Sequence, residues 1–398
     1  MKPGRLLNRL LDALCACLAP IARLLDARFF YLDGARIGDV GASLAWLVQS
    51  QRLGWTPRFK GVLVPIPTPR LANPCYGDYW RRYVRIVTDA ASYPIAFRLA
   101  TRPGLAWAVE PATLADGRAL DRDSALAASH HEWEAAGRPP LFALTAEHRR
   151  RGRAALVELG LEHDSWFVAL HVREAGYLGE QPDSYRSHRN ADVATYLPAV
   201  RRITDRGGWV IRVGDPSMKP LPRMERVVDY VHSSVQSDWM DIYLAAACRF
   251  FLGSSSGLFV VAWTFGRPCA LANWDSLVTR PWSSKDRFIP KLWWLKSEGR
   301  YLTFQEQVQP PYVAPLYLAR TRPEEFERLG LSPVDNSPDE ITALVEEMFQ
   351  PERTTDAPLA DELRATFERI VETYYPYGAT ARIGADFVVR HRNLLSST

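Results

Sequence analysis

A histidine and an arginine stand at the end of one short apolar run of the sequence. Residues 166–172 are aromatic and β-branched, and Gly176 and Gly179 follow them, which predicts a buried strand that delivers His171 and Arg173 at its end. Side chains two positions apart on an extended chain share a face. A planar guanidinium can bind two phosphate oxygens at once. The strand end is therefore a candidate phosphate or diphosphate site, and a structural arginine paired with a carboxylate is the alternative.

Strand-like and helix-like segments alternate from this run onward, which is typical of a doubly wound, mainly parallel sheet. The predicted strands after the first are residues 209–213, 226–230, 249–252 and 269–272, and the predicted helices are residues 192–206, 238–247 and 258–265.

Polar or small residues follow each of these strands. Because the carboxyl ends of parallel strands meet at one edge of a sheet, we expect them to converge on one ligand. The candidate ligand-binding residues at this edge are Arg212, Gly214, Asp215, Asp229, Tyr230, Ser254, Ser255, Ser256 and Gly257. The serine loop opens a predicted helix, which offers amide and hydroxyl donors to a phosphate. Asp215 and Asp229 are interpreted either as partners of a ribose or base edge, or as caps of a turn.

Composition excludes several classes of protein. A chain of 398 residues, 47% hydrophobic and 24% charged, is expected to form about two domains. Its formal net charge of +4 is far from the basic surface of a nucleic-acid-binding protein, so no nucleic-acid partner is predicted. Five scattered cysteines give neither a disulfide framework nor a zinc site, which predicts a reducing, cytoplasmic compartment.

The first 30 residues carry leucines at helical spacing. Their uninterrupted apolar core, residues 13–22, is half the length of about 20 residues that a bilayer crossing needs. We predict an amphipathic helix with two alternative placements. It lies on the inner face of the cell membrane as a peripheral contact, or it packs on the body of the protein.

The first half of the chain has weaker signals. Strands are predicted at residues 28–32 and 61–66, and helices at residues 42–48 and 78–85. A glycine-containing loop between the first strand and helix supplies a candidate acceptor-side set, which is Asp33, Gly34, Arg36, Gly38 and Asp39. The acidic string at residues 121–123 lacks a preceding buried strand, so no metal site is predicted there.

Four motifs between residues 166 and 272, HVRE, IRVGD, SDWMD and FFLGSSSG, carry a family resemblance. With them the chain resembles a family of bacterial glycosyltransferases found in surface-polysaccharide gene clusters. The His-x-Arg strand end also resembles the first motif of the fucosyltransferase-like enzymes, which have a two-domain GT-B architecture and use GDP-sugars without a metal. The resemblance implies that Arg173 binds the donor diphosphate and that Ser254–Ser256 lie beside the nucleotide. Glu174 and Gly176 depart from those motifs, so fucose as the donor sugar is not supported.

The alternation of strands and helices and the family resemblance together predict an α/β, GT-B-like protein. It would have two Rossmann-like domains whose mainly parallel sheets face each other across a cleft. The predicted parts are an N-terminal amphipathic helix (1–27), an acceptor-side domain (28–160), a nucleotide-sugar-binding domain (161–350) and C-terminal helices that pack back on the first domain (351–398).

The predicted function is glycosyl transfer from a nucleotide-diphosphate sugar, with a GDP-sugar slightly favoured, to a glycan, lipid-linked or other hydroxyl acceptor, with no metal or other cofactor. Arg173 would stabilise the leaving diphosphate, and His171, Glu174, Asp33 and Asp39 are candidates for the base among which the sequence does not choose. The alternatives are a transferase with another activated donor, such as a CMP-sugar, and a non-catalytic nucleotide- or glycan-binding partner of a biosynthetic complex.

Overall fold

The computed structural model describes most of the chain, in two compact units. Unit 1 is Met1–Trp133 and unit 2 is Glu134–Thr398. The described residues are 3–30, 32, 34–56, 61–66, 71–105, 112–113, 119–120, 122–176, 187–317, 323–350, 357–372 and 380–395.

A parallel three-stranded sheet in the order β1-β2-β3 forms the centre of unit 1. Its strands are β1 (Ala27–Phe29), β2 (Gly61–Pro65) and β3 (Arg85–Val87). The helices of this unit are α1 (Pro3–Leu24), α2 (Ile37–Leu53), α3 (Pro74–Trp80), α4 (Tyr93–Ala100) and α5 (Arg122–Ala135), the last of which runs just past the boundary. Two short strands, β4 (Ala112–Thr113) and β5 (Ala119–Leu120), pair with each other in antiparallel fashion.

Two local predictions for unit 1 need correction. Helix α2 begins at Ile37, so Gly38 and Asp39 lie in its first turn instead of in a loop. The predicted helix at residues 78–85 is α3, which ends at Trp80, followed by strand β3 from Arg85. Pro74 at the first helical position and the Asn73 cap, whose side chain accepts from the Tyr76 amide, move the helix start upstream.

Unit 2 is built on a seven-stranded sheet in the order β15-β11-β10-β9-β6-β7-β8, in which every pairing is parallel. Its strands are β6 (Phe167–His171), β7 (Trp209–Arg212), β8 (Val227–Asp229), β9 (Phe251–Gly253), β10 (Cys269–Trp274), β11 (Arg287–Pro290) and β15 (Arg382–Ile383). The central strands are apolar runs without alternation, because helices cover both faces of such a sheet.

Helices and a small antiparallel sheet complete unit 2. The helices are α6 (Ala146–Glu158), α7 (Leu197–Asp205), α8 (Asp238–Ala247), α9 (Phe259–Thr264), α10 (Phe304–Gln307), α11 (Val313–Tyr317), α12 (Pro323–Arg328), α13 (Pro338–Phe349), α14 (Ala357–Glu372) and α15 (Ala385–Arg390). The small sheet has the order β13-β12-β14, with strands β13 (Arg300–Tyr301), β12 (Leu292–Leu295) and β14 (Leu331–Val334).

The boundary between the units differs from the predicted one at residues 160/161. Helix α6, which the sequence assigns to the first domain, packs on α8 of unit 2. Gly152 of α6 lies so close to Tyr243 of α8 that a Cβ atom there would be 2.2 Å from the tyrosine ring. Helix α6 therefore belongs to the second unit.

The predicted α/β class, with a parallel sheet in each half, is confirmed. Strands β6 to β10 and helices α7 to α9 fall where the sequence predicts them. Strands β11 and β12 were not predicted. Among the described residues, no helix is both long enough and apolar enough to cross a membrane.

Candidate functional site

The seven-stranded sheet reverses its strand order between β6 and β9. From β6 the chain proceeds outward to β7 and β8, then returns to the other side of β6 as β9 and continues to β10 and β11. Ligands of open parallel sheets bind outside the carboxyl ends of the strands at such a reversal. The residues that follow β6 and β9 lie there, with His171 opposite Gly253 in the pairing of the two strands.

Ser254 joins the two strand ends. Its amide donates to the His171 carbonyl oxygen at 3.1 Å, and its Oγ accepts from the Arg173 amide at 2.9 Å. Ser254 is completely buried. In this structure Ser254 fixes the backbone of Arg173 where it leaves the sheet, and its role as a ligand of the sugar donor stays a prediction.

His171 is held as a neutral imidazole. Its Nδ1 lies 3.0 Å from the Val213 carbonyl oxygen, which can only accept, so Nδ1 carries the hydrogen and Nε2 keeps its lone pair. Burial, with the neighbouring charges of Arg212 and Arg173, lowers the pKa of His171 to about 4, although the hydrogen bond to Val213 acts in the opposite direction. Gly214 has a φ of +146°, and a Cβ atom there would lie 2.8 Å from Nδ1. The structure therefore gives Gly214 the role of making room for this ring.

A second arginine, which the sequence analysis did not single out, lies at the same reversal. Arg189 donates from Nη2 to the Ser255 carbonyl oxygen at 2.9 Å and to Ser255 Oγ at 3.1 Å. Its Nε is 3.4 Å from Asp275 Oδ2, and the His188 ring nitrogen is 3.8 Å from the same oxygen. Although burial disfavours ionisation of Asp275, the charge of Arg189 and hydrogen bonds from His188 and Ser255 hold its pKa well below the usual range.

Arg189 was missed because it lies far from any predicted strand end. It ends a short 3-10 helix, Ser187–Arg189, before α7. The segment is fixed to the sheet by the Ala191 amide, which donates to the Arg173 carbonyl oxygen at 3.0 Å, and by buried Lys291, whose Nζ donates to the Asn190 carbonyl oxygen at 2.8 Å. No pattern in the sequence marks these two long-range contacts.

Ser256 is the serine of this loop whose hydroxyl stays available. It is 6% exposed, and its Oγ has no hydrogen-bond partner among the described residues. Gly257 precedes α9, which has only six residues, so a helix dipole contributes little here. Within the described part of the chain, the serine loop therefore has one unpaired hydroxyl, that of Ser256, next to the Ser255 carbonyl oxygen to which Arg189 donates.

Arg212 does not reach a ligand in this structure. Its side chain is fully buried, and it donates to Glu174 Oε1 at 3.0 Å, to Asp229 Oδ1 at 3.3 Å and to the Lys219 carbonyl oxygen. Glu174 also accepts from the Lys219 amide at 3.0 Å. Each oxygen of Glu174 thus accepts a hydrogen bond in this structure, and the roles of Glu174 as a catalytic base and of Arg212 as a diphosphate ligand stay predictions.

The remaining predicted donor contacts on β7 and β8 are structural too. Asp215 Oδ1 caps a turn by accepting from the Ser217 amide at 2.9 Å, as the alternative interpretation had it. Asp229 Oδ2 accepts from the Leu221 amide at 2.9 Å, so this carboxylate has no free oxygen for a ribose. Buried Tyr230 exchanges hydrogen bonds with Ser237, and burial raises the pKa of its phenol well above the usual value.

The candidate acceptor-side loop is only partly described. Asp33 lies outside the described residues. The Gly34 carbonyl oxygen accepts from the Ala72 amide at 2.7 Å, and Arg36 is the residue before α2, whose first turn contains Gly38 and Asp39. These positions belong to unit 1, and their role in acceptor binding stays a prediction.

Within the described ranges, no group of three or more His, Cys, Asp or Glu side chains is placed to hold a metal ion.

Comparison with known proteins gives matches by structure alone. No protein-family model matches the chain, and no curated protein sequence matches it.

Three solved structures illustrate the likeness. The E. coli ADP-heptose LPS heptosyltransferase II is 16% identical, with a TM-score of 0.39 over 76% of this chain and 98% of that one. A glycosyl transferase family 9 protein of Veillonella parvula is 9% identical, with a TM-score of 0.31 over 62% and 81%. E. coli heptosyltransferase WaaC with ADP-2-deoxy-2-fluoro heptose is 12% identical, with a TM-score of 0.34 over 66% and 92%.

All three proteins are named as glycosyltransferases, and the names of two of them include an ADP-linked heptose. None of the three names fucosyl transfer or a GDP-sugar. The fucosyltransferase-like resemblance and the preference for a GDP-sugar therefore gain no support from them.

Proposed function

We propose that this chain is a glycosyltransferase that binds a nucleotide-diphosphate sugar at the carboxyl edge of the unit 2 sheet. The observation that carries the proposal is that the serine loop after β9 contacts two arginines at the strand-order reversal, Arg173 through its backbone amide and Arg189 through its guanidinium. The Arg189 side chain is held by Ser255, so it is oriented before any ligand arrives.

Two guanidiniums match the two phosphoryl groups of a diphosphate. Arg173 can donate two parallel hydrogen bonds to one phosphoryl group, Arg189 can donate from Nη1 because Ser255 and Asp275 engage its Nη2 and Nε, and the Ser256 hydroxyl adds a further donor. This pairing favours a diphosphate donor over a CMP-sugar, which has one phosphate. It also supplies the positive charge that a divalent cation would otherwise bring, so we propose that donor binding does not require a metal.

The same residues suit the chemical step. As the glycosidic bond to the diphosphate breaks, negative charge grows on the leaving oxygens, and fixed guanidiniums stabilise it most in the transition state. Asp275 holds Arg189 in place and stays ionised, because its pKa is depressed. Arg189 is therefore fixed in orientation, and its Nη1 is the nitrogen that remains for a ligand.

His171 is a candidate base in unit 2. It is neutral, its Nδ1 hydrogen is used by Val213, and its Nε2 lone pair is the acceptor. Its low pKa makes it a weak base in the free protein, but a bound diphosphate would raise that pKa by placing negative charge nearby. Asp39 of unit 1 is the other described candidate, so the assignment of the base stays a proposal.

The test is a thermal-shift titration of the full chain with ADP, UDP, GDP, dTDP and CMP, each with magnesium and with a chelator. A nucleotide present at about 100 times its dissociation constant stabilises the native state by about 2.7 kcal/mol. We expect a nucleoside diphosphate to raise the melting temperature with or without magnesium. Arg173→Ala and Arg189→Ala should each abolish the shift, whereas the matched surface variant Arg328→Ala should retain it.

Two outcomes would contradict the proposal. A shift that both arginine variants retain would move the nucleotide elsewhere. A protein that binds donor sugar but never releases nucleoside diphosphate, with any hydroxyl acceptor offered, would be the non-catalytic binding partner instead.

A further inference from the structure

Helix α1 presents a row of large apolar side chains to solvent. Nine large apolar residues are exposed in the part of the chain that the structure describes, and seven of them lie on α1 or directly after it. We call these seven the leucine stripe: Leu6 (49% exposed), Leu7 (59%), Leu10 (60%), Leu14 (43%), Ile21 (52%), Leu24 (85%) and Leu25 (61%). Their spacing places them within about 100° of arc on one side of the helix. Scattered single apolar residues are normal on a surface, but a continuous row is not.

Unit 1 already uses another side of the same helix. Cys15 and Ala19 are buried in a cluster with Phe29, Leu99 and other residues, and Leu18 and Ala22 pack against it. The helix is therefore anchored to the sheet and α4 without the leucine stripe. The leucine stripe is thus not the face through which α1 packs on the rest of unit 1.

Unit 1 carries an excess of basic residues. Arg9 and Arg23 are exposed on α1 itself. At about 100° per residue, Arg9 lies about 60° from Leu6, at the edge of the leucine stripe. Asp12, which accepts from Arg98 Nε at 3.0 Å, lies on the side of α1 away from the stripe. Unit 1 as a whole has 17 Lys and Arg against 11 Asp and Glu, whereas acidic residues are in slight excess in the rest of the chain.

We propose that the leucine stripe docks on the surface of an anionic phospholipid bilayer, with α1 lying in the plane of the interface. The leucines enter the boundary between headgroups and acyl chains, and Arg9 together with the net positive charge of unit 1 attracts the anionic headgroups. A second copy of this chain is a poorer occupant, because pairing two stripes would bring two net-positive units together. The docking concerns unit 1 and does not depend on the donor site of unit 2.

The experiment is co-sedimentation of the full chain with vesicles of phosphatidylcholine alone and of phosphatidylcholine with phosphatidylglycerol. The test variant is Leu10→Gln with Leu14→Gln, and the matched control is Val157→Gln with Leu359→Gln, which changes two exposed apolar residues of unit 2. We expect the wild type and the control to bind the anionic vesicles. The stripe variant should bind at least about tenfold more weakly, because each leucine contributes buried apolar area.

Two further readouts make the outcome decisive. Added salt and Arg9→Gln should weaken binding to anionic vesicles, because the arginines act through charge. Circular dichroism shows whether the stripe variant stays folded, and analytical ultracentrifugation gives the oligomeric state. Wild-type protein that ignores anionic vesicles overturns the proposal. So does a stable dimer that the stripe variant dissociates without any change in vesicle binding.

Failure of this proposal is distinguishable from failure of the proposed function. Nucleotide binding without vesicle binding contradicts only the docking surface, and vesicle binding without nucleotide binding contradicts only the donor site.

Discussion

At the scale of single residues, the two arginines that the sequence predicts at strand ends lie in different surroundings. Arg173 follows β6 at the strand-order reversal, whereas Arg212, one strand away, is fully buried among Glu174, Asp229 and a carbonyl oxygen. Both occur at the end of an apolar run, so the sequence pattern is the same. The carboxylates of Glu174 and Asp229 satisfy Arg212 inside the fold.

Replacement of Arg212 tests its structural assignment. Arg212→Ala should lower the free energy of unfolding by about 3 kcal/mol, because it leaves two largely buried carboxylates without their counter-charge. Urea unfolding measures the change, and Arg223→Ala, at an exposed position of the same unit, should change it by less than about 0.5 kcal/mol. If Arg212→Ala instead abolished nucleotide binding at unchanged stability, the original prediction of a diphosphate ligand would be right.

The low pKa of His171 predicts a specific pH dependence. Between pH 6.5 and about 4 the unfolded chain binds a proton that folded His171 does not, so this residue makes the protein less stable as the pH falls through that window. We expect the contribution to reach on the order of 2 kcal/mol after allowance for its partial exposure.

The measurement compares wild type and His171→Gln by urea unfolding at several pH values. Asp241 and Asp286 oppose this trend, because burial raises the pKa of each to about 7, but they are present in both proteins and cancel in the difference. A stability difference that does not change between pH 7 and pH 4.5 would show that His171 titrates normally.

At the scale of secondary-structure elements, the site depends on how closely β6 and β9 approach. A Cβ atom on Gly253 would lie 2.4 Å from the His171 carbonyl oxygen, which is backbone and cannot rotate away. Gly253 is therefore required by the spacing of the two strands, and its conformation is otherwise ordinary.

Gly253→Ala should force the strands apart. We expect a loss of about 2–3 kcal/mol in the free energy of unfolding, together with weaker nucleotide binding, because Ser254 and Arg173 would shift. The matched control is Gly299→Ala in a surface turn, where no atom lies within 4 Å of the added methyl group. This variant loses stability only through backbone strain at φ +62°. Equal losses in the two variants would mean that the close approach carries no special cost.

At the scale of the whole molecule, the two units carry separate properties. The paired strand ends and the two arginines belong to unit 2, and the leucine stripe belongs to unit 1. Each unit has its own parallel sheet and its own core, so each property can be followed by itself.

Hydrogen exchange should separate them. A bound nucleoside diphosphate is expected to slow exchange of backbone amides at residues 171–173, 187–191 and 253–257, because ligand contacts suppress local opening. Exchange in α1 should stay the same, and Arg173→Ala with the same nucleotide serves as the control. Protection confined to residues 34–41 would place the nucleotide on the predicted acceptor-side loop and contradict the assignment to unit 2.

The sequence by itself determined the architecture of unit 2 near the site. Apolar runs without alternation, bounded by glycines, predict β6, β7, β9 and β10 because strands covered on both faces have no polar side to show. The parallel order then places their carboxyl ends at one edge, which is why the position of Arg173 was predictable from local pattern alone.

Only the tertiary structure decided which of the candidate residues are available to a ligand. Glu174 and Arg212 are polar groups at strand ends that satisfy each other across 38 positions of the sequence, whereas Asp229 and Tyr230 find partners eight and seven positions away. Conversely, Arg189 reaches the serine loop over 66 positions, guided by Asp275 and the Asn190 contact with Lys291. Local periodicity reports the face of an element that is buried. It does not report which partner a buried polar group finds, because that partner is set by the packing of elements that are far apart along the chain.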